Sequence, residues 1–149
     1  MASAVKTLWA LSDYVGHKFE PSGWVTIDQT LISRFAAVTG DDNWYHVDVE
    51  RAAAELPDGK TIAHGLLLLA LLPGLSRQII NVTEHGRALN YGYDKVRFLE
   101  PVNVGDRVRL TMSVDSTMPA KSGLMIERTF TLQGEGKPRP VMIAKALSL

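Results

Sequence analysis

Residues Leu66-Leu67-Leu68-Leu69-Ala70-Leu71-Leu72 form an unbroken run of seven apolar side chains, entered through Ile62-Ala63-His64-Gly65 and followed by Pro73-Gly74. At helical period the run has no polar stripe, so a helix built from it calls for cover on every side. It falls far short of the roughly 20 apolar residues that cross a bilayer, and Pro73-Gly74 is expected to halt it. The stretch 61–76 therefore predicts one fully buried central helix that the rest of the chain wraps. At 149 residues the chain has the size of one domain, and 1–149 is read as such.

Sixteen Lys+Arg against sixteen Asp+Glu leave no net field. Neither nucleic acid nor an anionic membrane is then an expected partner. The chain has no cysteine, which removes disulfides, thiolate metal sites and a Cys nucleophile. The first residues carry no apolar run of signal-peptide length, so the expected compartment is the cytoplasm.

Ala4, Leu8, Leu11 and Val15 recur as one face of a short helix that Gly16 ends. A short strand follows at 24–27. Asp28 then caps a helix with Leu31, Phe35 and Val38 on its apolar face and Gly40 just past its end. Asp48 caps another helix at 49–56, and Pro57-Asp58-Gly59 is turn chemistry. Beyond about residue 87 the period becomes that of strands. Leu89, Tyr91 and Tyr93 alternate, and Val96 and Phe98 continue after a slip at Asp94-Lys95 that reads as a bulge. Val108, Leu110, Met112 and Val114 alternate after the turn 103–106. Leu124, Ile126, Phe130 and Leu132 follow the turn 119–123, with Arg128 interrupting their apolar face. A third turn at 134–138 leads to the last strand, 141–149. Helices first and an antiparallel meander second make an α+β domain, a sheet curled around one helix, which describes the hot-dog architecture.

The chemistry-bearing cluster is Thr39-Gly40-Asp41-Asp42-Asn43-Trp44-Tyr45-His46. On a loop after a helix, Asp41 and His46 can face one cavity as an acid/base pair that holds a water, with Asn43 orienting either group. Gly65 opens the central helix with an unencumbered N–H at the positive end of its dipole, suited to an oxyanion. The competing reading makes Asp41, Asp42 and Asn43 ordinary turn residues and His46 a satisfied buried ring. A metal set of His46, Asp48 and His64 does not follow usual ligand spacing, so no metal is expected. His17 and His85 are expected to be solvated.

Residues 39–46, followed after five residues by Ala52, resemble the hydratase-2 motif of the MaoC-like, (R)-specific enoyl-CoA hydratases. Thr61-Ile62-Ala63-His64-Gly65-Leu66-Leu67 is similar to that family's His-Gly helix entry, and 90–102 to its next strand, with particular likeness to the nodulation-protein-N-like branch. The resemblance spans about residues 22–149. It implies reversible syn addition of water to a trans-2-enoyl-CoA, giving the (R)-3-hydroxyacyl-CoA. Asp41 and His46 would share the water, Asn43 would orient it and the Gly65 N–H would meet the thioester oxygen. His64, Trp44, Tyr45, Tyr91, Lys95 and Arg97 are the substrate-binding candidates, His64 serving the helix entry more with its backbone than its ring. No cofactor beyond the substrate's own CoA is implied, and a homodimer or dimer of dimers is expected. A hot-dog acyl-CoA thioesterase and a non-catalytic acyl-CoA binder are the alternatives. The family motif carries Pro after the Asn where this chain has Trp44, so the pair Asp41 and His46 is matched more closely than the path of the loop.

Overall fold

In the computed structural model, which describes residues 2–84 and 86–149, the central element is an α-helix that runs past the proline. In chain order the elements are strand β1 (Ser3–Thr7), a 3-10 turn (Trp9–Tyr14), β2 (Val25–Thr26), helices α1 (Gln29–Thr39), α2 (Trp44–Val47), α3 (Val49–Glu55) and α4 (Gly65–Ile79). Strands β3 (Ile80–Glu84), β4 (Asn90–Phe98), β5 (Arg107–Ala120), β6 (Gly123–Gly134) and β7 (Pro140–Ser148) complete it.

Two expectations about the apolar run are corrected. The helix does not stop at Pro73-Gly74; it continues to Ile79, burying Leu75, Ser76 and Ile79. An internal proline costs about 3 kcal/mol through its missing N–H and its ring clash, and burial of that extra turn offsets the cost. Nor is the helix covered all round. Leu67, Leu68, Leu72 and Leu75 lie in the core, whereas Leu66 is 60% exposed. The sheet covers one face of α4, and that face alone needed a long apolar stripe.

The sheet has the order β2-β5-β6-β7-β4, all neighbours antiparallel. Strands β5, β6 and β7 form the expected meander, but β4 pairs with β7 at the far edge, and the connection 99–106 crosses the sheet. Its register slips between Tyr93 and Lys95, at the bulge expected from the broken alternation. Val108, Leu110, Val114, Ile126, Phe130, Leu132, Met142 and Ala144 point from the sheet onto α4. The result is α+β, one layer of antiparallel sheet against one long helix.

Local signals elsewhere divide the same way. Asp28 Oδ1 accepts from the Leu31 N–H at 2.8 Å, Asp48 Oδ1 from the Arg51 N–H at 3.0 Å, and Gly40 closes α1 in the left-handed conformation. The α1 face is rotated from expectation: Ile32 and Ala36 are buried, and Val38 is 85% exposed. The N-terminal helix is corrected too. Residues Ser3–Thr7 are a strand pairing in parallel with β3, with Val5 buried, and only Trp9–Tyr14 turn helically. The partner strand lies over seventy residues away, out of reach of any local periodicity. His17 is exposed, as expected; His85 lies outside the described residues. Among the described residues, no helix is long and apolar enough to cross a membrane.

Leu72 is fully buried, so Leu72→Ala is expected to cost about 2–5 kcal/mol. Asp28→Ala, which removes only a cap, should cost about 1 kcal/mol. Urea unfolding of both variants measures the difference, and equal midpoints would contradict this core assignment.

Candidate active site

Helix α1 ends at Gly40 (φ 79°), whose N–H reaches the Ala36 carbonyl at 2.8 Å. That left-handed step turns the chain so that Asp41, Asp42 and Asn43 lead into α2. Asn43 Nδ2 donates to Asp41 Oδ1 at 2.7 Å, holding the carboxylate in one orientation. Position 44 is the first residue of α2, the helical position where proline is most at home. Trp44 in place of the family's Pro therefore keeps the helical path, and the Arg51 guanidinium lies over its ring at 4.1 Å. The Tyr45 ring meets that of His46 edge-on, with centroids 4.5 Å apart.

His46 is buried on α2. Its Nδ1 lies 2.5 Å from the Ile62 carbonyl, and a carbonyl only accepts, so Nδ1 carries the hydrogen. In the neutral ring Nε2 then holds the lone pair. The segment supplying that carbonyl is tied down by Ile62 N–H to the Tyr45 carbonyl, Ala63 N–H to Val102 and Val104 N–H to the Thr61 carbonyl. Burial pushes the His46 pKa below its ordinary value of 6.5; the bond to Ile62 opposes this, His64 reinforces it, and Asp41 opposes it.

The His64 ring was expected to matter less than its backbone. The structure corrects this: Nε2 donates to the Asp41 carbonyl at 2.8 Å, and the ring stacks on His46 with centroids 3.8 Å apart. Phe35 covers it from the other side at 5.0 Å. The His64 ring thus joins the start of α4 to the loop that carries Asp41. Side-chain polar atoms of Asp41, His46 and His64 lie within 4.8 Å of one another, a span that one water bridges with two ordinary hydrogen bonds of about 2.8 Å.

Asp48, one of the residues considered for a metal, is spent on capping α3. Asp41 takes its place beside the two histidines. With His46 Nδ1 and His64 Nε2 each bonded to a carbonyl, His46 Nε2, His64 Nδ1 and the Asp41 carboxylate are the donor atoms left at this point.

Gly65 opens α4, and the first N–H groups of a helix have no intrahelical acceptor. A Cβ at Gly65 would sit 3.0 Å from the Phe98 ring, so glycine permits this close packing. The remaining candidates lie apart. Tyr91, Lys95 and Arg97 are exposed on β4, and Arg97 Nη1 donates to its neighbour's carbonyl at Val96. Sequence reasoning missed Gln29. Its Nε2 donates to the His46 carbonyl at 2.8 Å while its Oε1 accepts from the buried Thr61 hydroxyl, clamping α2 to the segment before α4. A glutamine in a first helical turn carries no local signal for that role.

The family model described as MaoC like domain matches residues 11–131. The chain is 44% identical to 3-hydroxyacyl-thioester dehydratase Z of Mycobacterium tuberculosis, over 92% of this chain and 91% of that protein. It is 39% identical to Nodulation protein N of Rhizobium meliloti, over 93% and 88%. The solved R-hydratase PhaJ1 from Pseudomonas aeruginosa superposes with a TM-score of 0.71 at 24% identity, covering 87% of this chain and 79% of that one. That likeness shows the hot-dog fold.

Because the folded His46 pKa is lowered, folding favours the neutral ring; stability is complete above the unfolded value near 6.5 and declines as pH falls below it. Titrating the His46 ring by NMR should give a midpoint under 6.5, and a midpoint above it would contradict the buried placement.

Proposed function

The chain belongs to the MaoC-like dehydratase family, whose members are dehydratases and hydratases, and on that premise we propose that it hydrates trans-2-enoyl-CoA to (R)-3-hydroxyacyl-CoA and catalyses the reverse dehydration. The observation that carries the reading is the convergence of Asp41, His46 and His64 at the start of α4. His46 Nε2, left with its lone pair by the bond at Nδ1, takes one proton from a water whose other hydrogen rests on the Asp41 carboxylate. The water oxygen bonds to the β-carbon, and electrons move through the α-carbon to the thioester oxygen, where the Gly65 N–H receives the charge. The His46 imidazolium then returns the proton to the α-carbon on the same face, giving syn addition. Asn43 holds Asp41, and His64 holds the loop. Water is the nucleophile and the thioester acidifies the α-position, so no cofactor enters.

The same reading extends to a homodimer. Strand β4 has one neighbour, β7, and leaves nine residues of edge open among the described residues. Tyr91, Phe98 and Leu66 stand 64%, 48% and 60% exposed beside it. An open edge with apolar side chains is completed by pairing with a second copy. Lys95 and Arg97 on that strand would meet CoA phosphates.

Asp41→Asn and His46→Ala are each expected to lower crotonyl-CoA hydration about 100-fold or more with unchanged far-UV circular dichroism. Loss of enoyl absorbance reports hydration, and free-thiol release reports a thioesterase. Wild-type rates in either folded variant, or thiol release as the main activity, would sink the assignment. Replacing Lys95 and Arg97 by Gln should raise KM for the CoA substrate and leave kcat nearly unchanged; a fall in kcat alone would remove them from CoA binding.

A further inference from the structure

Arg128, which interrupts the apolar face of β6, is half-buried, with its Nε fully enclosed, beside a cavity of about 500 Å³. The cavity is distant from the acid/base pair: it is walled by the far half of α4 (Pro73, Ser76, Arg77), β4, β6 and the end of β7, and includes none of Asp41, His46, His64 or Gly65. A guanidinium offers five N–H donors in a planar fork. Among the described residues, Arg128 spends one of them, Nη2, on the Ser148 hydroxyl, and its buried Nε has no partner. Its cation lies 5.1 Å from the Phe130 ring. Four other cationic side chains, Lys6, Arg51, Arg107 and Arg139, pair with glutamates. No such ion pair forms at Arg128 among the described residues, and no Asp or Glu lines the cavity, although a second guanidinium, Arg77, does. Tyr93 and Ser148 add hydroxyls to the same wall, and Leu8, Leu11 and Ile126 supply apolar surface.

An enclosed N–H of a cation without a partner is costly, and a planar fork facing a cavity matches the two oxygens of a carboxylate. The geometry points to a second binding site here, taking a carboxylate on a hydrocarbon body, with the carboxylate on Arg128 and the hydrocarbon on Leu8, Leu11 and Ile126. Two sources share that chemistry. One is a free fatty acid. The other is the distal carboxylate of an ω-carboxyacyl thioester whose thioester end sits at Gly65, and this source alone rests on the activity proposed above. Gly65, Leu69, Pro73 and Ser76 share one stripe of α4, and the rise from Gly65 to Pro73 and Ser76 is about 12–17 Å, a path for a medium-length acyl chain.

Calorimetric titration of the full chain with sodium octanoate tests the site, with octan-1-ol as the uncharged control. Octanoate should bind the wild type, octanol should not match it, and Arg128→Met should weaken octanoate about tenfold or more, the scale of a lost charge-assisted hydrogen bond. Thermal unfolding checks that this variant folds. If it does not, Ser148→Ala, which frees the guanidinium from its anchor, should weaken octanoate in the same direction. Absence of octanoate binding to wild type, equal binding by folded Arg128→Met, or equal binding of octanol overturns the proposal. The sources separate by kinetics: if Arg128→Met lowers kcat/KM for an ω-carboxyenoyl-CoA relative to the unsubstituted enoyl-CoA, the thioester is the ligand. If octanoate binding is lost and that ratio holds, the free acid is.

Discussion

Burial of the inner face of α4 against β5, β6 and β7 is the constraint from which the rest follows. Leu67, Leu68, Leu72 and Leu75 must leave water, and the sheet supplies the matching surface through Val108, Leu110, Phe130, Leu132 and Met142. Docking the helix also decides where its first residue lies. The segment before it is clamped as a strand-like piece by Ala63 to Val102 and Val104 to Thr61. The carbonyl of Ile62 and the ring of His64 are therefore fixed by the same contacts that hold the core, and the rigidity of the site is inherited from the packing of the helix.

At the site, two imidazoles are held in the same manner, each giving one N–H to a backbone carbonyl: His46 to Ile62 and His64 to Asp41. The two bonds settle both tautomers and draw the loop 40–46 against the helix start. Stacking and burial favour the neutral state of His46, since charging it would place a cation in a poorly solvated position against a second imidazole. A neutral ring with a free Nε2 beside an oriented carboxylate suits proton transfer to and from a water.

Much of this was legible in order along the chain because it rests on local chemistry. Asp28 and Asp48 are caps because their side chains reach N–H groups three residues on. Gly40 and Gly105 occupy positive φ where other residues are strained. The break in alternation at Asp94 is a bulge, since an extra residue must change which face the next side chain takes. Arg128 stands out in the pattern for the same reason. What was not legible depends on partners remote in sequence. Ala4, Leu8, Leu11 and Val15 have a helical spacing, yet Ser3–Thr7 are a strand because β3 lies alongside. Pro73 reads as a stop and is passed because tertiary burial outweighs it. Gln29 carries no signal for the hydrogen bonds that make it a clamp between α2 and Thr61.

By itself, the order of residues determined the α1 and α3 helices with their Asp28 and Asp48 caps, the strands from residue 90 on with their turns, the apolar run that must be covered and the presence of Asp41, Asn43, His46 and the His64-Gly65 step. Those are matters of short-range geometry and side-chain chemistry, which act within a few residues. Tertiary structure alone decided that β4 crosses to pair with β7, that one side of α4 stays open, and that the ring of His64 reaches back across twenty-three residues to hold Asp41. Each of these is a contact between segments far apart in the chain, and its free energy exists only once the core has brought them together.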